Sequence, residues 1–114
     1  MEIDDSFVKQ HTIRWTKAWN DHNIIEVLSL YSENILFSSP KIKSVYPNRT
    51  SATISNKKDL EEYFCMGLKK FPMLHFTPLD YFLKNQKVLF EYSASPDNRT
   101  QWSVIEMFEF TMMD

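Results

Sequence analysis

The order of its segments places this chain in the α+β class. Helical spacing governs the first two-thirds, and alternation governs the rest from His75 onward. The strand-like stretches are joined by short connections, so they read as an antiparallel meander with helices on one face. Composition agrees: nine Phe, five Tyr, three Trp and six Met stand against a single glycine in 114 residues. Such a chain has ample material for one core and needs neither disulfide nor metal to hold it. It reads as a single domain, residues 1–114, without linker or repeat.

The first expected element is a long helix from about Asp5 to His22, with acidic Asp4 and Asp5 at its positive end. Phe7, Val8, Trp15, Ala18 and Trp19 form its apolar stripe. Asn20–Asn23 interrupts the periodicity. A shorter helix follows, with Ile24, Ile25, Val27, Leu28 and Tyr31 facing inward, and then a strand, Ile35 to Ser39, which Pro40 ends. Residues 41–55 read as polar and turn-rich, with at most a short strand near Ala52–Ile54. A third helix opens with Asn56 as N-cap and Asp59 three places on, turns Leu60, Tyr63, Phe64, Gly67, Leu68 and Phe71 inward, and stops at Pro72. Strands are expected at His75–Lys84, Lys87–Ser95 and Thr100–Thr111.

Composition also excludes functions. One glycine leaves no phosphate-cradling loop. A net charge of −2, with both signs dispersed, argues against nucleic acid. The N-terminus lacks an apolar signal core and no apolar run could span a bilayer, so no membrane contact and a cytoplasmic location are expected. The lone Cys65 fits a reducing compartment and reads as a buried helix-face thiol. No metal or other cofactor is expected. His11 and His22 would lie ~16 Å apart along one helix, too far to share an ion. Asn48–Thr50 and Asn98–Thr100 match the glycosylation sequon and read as turns.

The most informative pattern lies in the last strand. Trp102, Val104, Glu106, Phe108 and Phe110 share one face by alternation, and that face is the core face. Glu106 sits in its middle. An ionised carboxylate there must be paired, hydrogen-bonded, protonated or facing a wet cavity, and desolvation is expected to raise its pKa. It is either a pocket carboxylate acting as acid, base or polar anchor, or a structural carboxylate bonded to Trp or Tyr donors, or else a bulge flips the parity and turns it outward. His75 falls in phase with Thr77, Leu79, Tyr81 and Leu83, which makes it the candidate partner for Glu106. Tyr92 is a second. The aromatic surplus suits a lined cavity, with Trp15, Trp19, Phe37, Tyr63 and Phe64 from the first half of the chain. Phe90, Tyr92, Trp102, Val104 and Phe108 complete that expected lining from the strands.

Trp19 to Pro40 resembles the opening of the nuclear-transport-factor-2-like superfamily, in its SnoaL-like branch. The resemblance continues through Asn56–Phe64, Phe71–Phe76 and Ile105–Phe110, covering nearly the whole chain. It implies a curved, mainly antiparallel, cystatin-like sheet wrapped around the long helix as a cone with an apolar pocket, often dimeric through the sheet. Its members include isomerases, dehydratases, cyclases and noncatalytic binding proteins. Set along the ketosteroid isomerase pattern, the oxyanion-binding tyrosine falls on Trp15, the general-base aspartate on Ser39 and the protonated aspartate on Glu106. Only the last keeps a carboxyl group, which argues against steroid isomerisation by the same route. The family's final long strand has no counterpart before Asp114. Either a partner subunit covers the resulting sheet edge, the sheet is rearranged, or the chain is a shortened family member; a homodimer through the meander sheet is the expectation. The resulting expectation is a cone protein for a small apolar or aromatic ligand. Cofactor-free proton transfer at Glu106 and noncatalytic binding or protein interaction remain the two alternatives.

Overall fold

A computed structural model describes residues 3–33, 35–39, 41–48 and 51–110. Helix α1 spans Asp5–Asn20, α2 Ile24–Ser29, α3 Lys41–Val45 and α4 Lys57–Lys70. Strands β1 (Phe37–Ser38) and β2 (Thr53–Ile54) form a small antiparallel pair. Strands β3 (His75–Lys84), β4 (Lys87–Ser95) and β5 (Trp102–Glu109) form an antiparallel sheet in that order. The α+β layout and the helices-then-meander order are as expected.

Local chemistry sets the ends of the elements. Asp4 caps α1 by accepting from the Phe7 N–H at 2.9 Å. The helix stops at Asn20 because His22 adopts a left-handed φ of 54°, two residues short of the expected end. Asn56 caps α4 as expected, its side chain accepting from the Asp59 N–H at 2.8 Å. Asn85, at φ 56°, turns the β3–β4 hairpin. Asp97 accepts from the backbone N–H groups of Arg99 and Thr100 at 2.7 and 2.8 Å, which organises the β4–β5 connection and makes the Asn98 sequon a turn. Arg49 and Thr50 of the other sequon, and Thr111 at the end of the last expected strand, lie outside the described residues.

Helix α1 lies across the inner face of the sheet, and Trp15 is the centre of the contact. Its ring stacks on Phe76 at 5.3 Å and meets Phe90, Tyr92 and Phe108 edge-on. Asn20 then clamps the start of β3 at two points: it donates to the Phe76 carbonyl at 3.0 Å and accepts from the Phe76 N–H at 2.7 Å. His22 Nε2 lies 2.9 Å from the Leu74 carbonyl. The Trp-Asn-Asp-His segment that breaks the helical period is therefore the piece that docks α1 onto β3.

Several expectations are corrected. Residues 41–55 contain a helix, α3, whose Ile42 is fully buried. Five residues are too few to show a helical period. Strand β1 is only two residues long, because Leu36 is exposed rather than paired. Ile25 is exposed on α2, leaving Val27 and Leu28 as its buried pair. Cys65 is exposed, since it lies about 100° around α4 from the buried Phe64.

Ile42 is fully buried and belongs to the hydrophobic core cluster. Replacing it with Ala is expected to cost about 2–5 kcal/mol in denaturant unfolding. A loss within about 0.5 kcal/mol, the range of surface substitutions, would mean that α3 contributes nothing to the core.

Candidate functional site

Register carries Glu106 to the position sequence parity assigns it. Glu106 pairs with Phe90 across β4–β5, and Phe90 is fully buried on the inner face. The two strands differ in how closely they are covered. On β4, Val88, Phe90, Tyr92 and Ala94 are all buried, whereas on β5 the same-face Trp102, Val104, Glu106 and Phe108 are only half-buried.

Glu106 sits in a group of phenols. Tyr92 Oη donates to Glu106 Oε1 at 3.0 Å, and among the described residues no other hydrogen bond reaches the carboxyl. Trp15 Nε1 donates to Tyr31 Oη at 3.1 Å, which holds a second hydroxyl in the cluster. Tyr63 provides a third, near enough to Glu106 to feel its charge. Burial pushes the Glu106 carboxyl up to about 7, and the Tyr92 hydrogen bond only partly opposes it. Tyr92, Tyr31 and Tyr63 are all raised, first by burial, and the nearby Glu106 charge acts in the same direction on each. The cluster therefore favours a protonated carboxyl surrounded by neutral phenols at the lower end of the physiological range.

His75 lies elsewhere. A bulge between Pro78 and Asp80 shifts the β3 register. As a result Phe76 and Pro78 face inward before it, while Tyr81 and Leu83 do so after it. His75 is left exposed on the other parity, in a polar cleft lined by Met73, Ser95, Asp97 and Arg99 among others. It does not join Glu106. Tyr92, the other expected partner, does.

The remaining candidates divide between core and site. Trp15, Trp19, Phe64 and Phe90 are buried in the aromatic core; Trp19 packs on Phe64 at 4.8 Å, with its indole N–H unpartnered among the described residues. Phe37 meets Tyr63 and Phe64 at 5.9 and 5.6 Å, and Phe108 packs against Trp15 and Phe90. Tyr31 and Ser39 join the cluster although spacing alone did not select them. Tyr31 was legible only as the last inward residue after α2. His11, read as an ordinary helix residue, is wrapped by Phe7, Phe108 and Phe110 at 5.9, 5.8 and 4.9 Å. Burial, with Arg14 assisting, lowers its pKa to about 4. No group of three or more His, Cys, Asp or Glu able to hold a metal occurs among the described residues, and none of the described helices is long and apolar enough to cross a membrane.

Gly67 adds a steric fact. It lies on α4 midway between Tyr63 and Phe71, and a Cβ placed there would meet no atom within 4 Å. Phe71 reaches Trp102 edge-on at 5.4 Å. Helix α4 and strand β5 thus run past each other with Tyr63 and Glu106 at one end and Phe71 and Trp102 at the other. Gly67 lies midway between Tyr63 and Phe71 on the helix, and Val104 midway between Trp102 and Glu106 on the strand.

An α+β arrangement with a long helix against an antiparallel sheet, and an acid on the inner face of the last described strand, defines a cystatin-like fold. The chain belongs to the SnoaL-like domain family, which it matches over residues 12–113. It is similar to a SnoaL-like protein of unknown function from Burkholderia thailandensis, at 25% identity and a TM-score of 0.84 over 96% of this chain and 88% of that one. AclR, a proposed hydroxylase from Streptomyces galilaeus, shares 16% identity at a TM-score of 0.70, over 96% and 73% of the two chains. A proposed ketosteroid isomerase from Kribbella flavida shares 12% at 0.67, over 90% and 67%. None of the curated proteins compared with the chain matches it.

The raised carboxyl has a consequence for stability. A Glu106 pKa of about 7 in the folded protein, against an ordinary 4.5, means that the native state holds a proton the unfolded state has lost between those values. Its stabilising contribution is complete below pH 4.5 and disappears as pH rises through 7. Glu106→Gln removes this dependence and leaves that of His11 in both proteins. The stability of the variant relative to wild type is therefore expected to rise from pH 5 to pH 8 in urea unfolding. A difference independent of pH would show that Glu106 titrates normally.

Proposed function

We propose that the chain binds a small apolar or aromatic molecule in the interval between α4 and β5, with the Glu106 carboxyl as its polar anchor. The observation that carries this reading is the raised, half-buried carboxyl with a single hydrogen-bond partner, beside an unfilled space at Gly67. An acid titrating near 7 is present in both forms at neutral pH, so it can donate a proton to a bound oxygen or take one from carbon. The phenols of Tyr31, Tyr63 and Tyr92 supply neutral donors beside it. This set serves cofactor-free proton transfer of the isomerase, dehydratase or cyclase type. Trp15 and Ser39 offer no carboxylate, so a steroid isomerase mechanism with a separate aspartate base does not transfer. Noncatalytic binding is the second reading, and the Tyr92 bond, which satisfies Glu106 without any ligand, favours it.

Gly67→Leu tests the binding reading. Replacing a helix-interior glycine usually gains up to about 1 kcal/mol, and open space at Gly67 removes the usual steric penalty. The variant is expected to unfold no earlier than wild type yet to lose binding of N-phenyl-1-naphthylamine, a neutral apolar fluorophore. Unchanged probe affinity in a folded variant would exclude this space as the binding site.

The proposed partner is a second copy of the chain, through the outer face of the sheet. Phe82, Leu89 and Met107 align across β3, β4 and β5 at 66%, 45% and 60% exposure, and Ile105 beside them is 68% exposed. A contiguous apolar row of this kind supports an isologous contact. Phe82→Glu combined with Met107→Glu is expected to convert a sedimenting dimer to monomer at micromolar concentration. A wild-type monomer under those conditions would overturn the assignment.

A further inference from the structure

The far end of the same interval has a different chemistry from the Glu106 end. Lys41 places its ammonium 3.8 Å from the centroid of the Trp102 ring, and Lys70 sits 5.5 Å from the centroid of Phe71. Those two rings meet each other at 5.4 Å, so two cations border one aromatic pair. Neither lysine is in an ion pair among the described residues, although Lys17, Lys57 and Lys87 all are. Lys41 is exposed, and partial desolvation beside Trp102 lowers its pKa without removing its charge at neutral pH. An anion brought to it would gain a charge-assisted contact at the rim of the aromatic pair.

Spacing relates this end to the acid. From Tyr63 to Phe71 α4 advances about 12 Å, and from Trp102 to Glu106 β5 advances about 14 Å. The backbone also links the two ends. Ser39 Oγ accepts from the Lys41 N–H at 3.3 Å, and Ser39 also lies close enough to Tyr63, beside Glu106, to influence its hydroxyl. Between them stand Gly67, beyond which space is open, and the apolar Val104.

We infer that the ligand is an apolar or aromatic anion, a carboxylate or sulfonate, whose charged group is held by Lys41 at Trp102 while its apolar body lies along Gly67 and Val104 toward Glu106. This rests on the binding reading above and specifies its ligand class. The molecule spans roughly 10–14 Å, the length set by the helix and strand advances. A neutral hydrocarbon would forgo the cationic end, and an organic cation would be repelled by it.

A matched pair of probes tests the assignment on the intact chain. 1-Anilinonaphthalene-8-sulfonate and N-phenyl-1-naphthylamine differ only in the sulfonate. Wild type is expected to bind the sulfonate about tenfold more tightly, the equivalent of one charge-assisted hydrogen bond, with the preference shrinking as salt is raised. Lys41→Gln should abolish the preference while leaving the neutral probe's affinity unchanged, and Lys41→Arg should retain it. Lys84→Gln, at the opposite end of the sheet, should change neither. If the neutral probe binds at the Gly67 site and the sulfonate binds no better, the anion assignment fails and the binding reading stands. If neither probe binds, both fail. A preference that survives Lys41→Gln, or is lost equally in Lys41→Arg, overturns the role of the Lys41 charge.

Discussion

The packing of one indole organises this molecule. Trp15 stacks on Phe76 from β3 and makes edge-type contacts with Phe90 and Tyr92 from β4 and Phe108 from β5. A ring that touches three strands fixes how far α1 lies from each, so the sheet cannot slide under the helix without losing several aromatic contacts together. Its only polar atom is engaged as well, since the indole N–H holds the Tyr31 hydroxyl at 3.1 Å. The Asn20 clamp on Phe76 then fixes the angle of approach.

That constraint shapes the site. With α1 covering β3 and β4, the inner face of β5 is left partly open, and the only acid on that face is Glu106. Position 15, where a ketosteroid isomerase pattern implies a hydroxyl, carries an indole here. Its N–H orients Tyr31 instead, and the phenol of Tyr92 reaches the carboxyl directly. The polar chemistry is therefore rebuilt around one carboxyl and three phenols rather than around two carboxylates. A carboxyl so surrounded is disfavoured as an anion by burial, and each phenol resists ionisation because that anion is near.

Much of the fold was legible because its longer elements repeat a period. Strands β3 and β4 begin and end at the residues alternation and turn chemistry assign, and α4 begins at its Asn56 cap. The inward placement of Glu106 followed from the same alternation. His75 did not, because one extra residue in the β3 bulge reverses parity, and no residue type announces that reversal. Helix α3 escaped detection for a related reason: Ile42, its one buried residue among those described, defines no period. Lys41 falls in the stretch read as polar and turn-rich, where nothing in its neighbours in the chain indicates a tryptophan sixty-one positions later.

Taken alone, the sequence determined the α+β class, the family resemblance, the order of the elements and the face on which the acid lies. These depend on periodicity and capping, which are local and survive being read in one dimension. Tertiary structure decided which groups surround that acid. Tyr31, Tyr63 and Tyr92 come from an α2 exit, a helix and a strand, and converge only when Trp15 seats α1 on the sheet. It also gave the single glycine its meaning. In the chain, Gly67 signalled the absence of a phosphate loop and an inward position on the third expected helix; in the fold, a side chain there would meet no atom within 4 Å, on the helix whose end reaches β5 through Phe71 and Trp102.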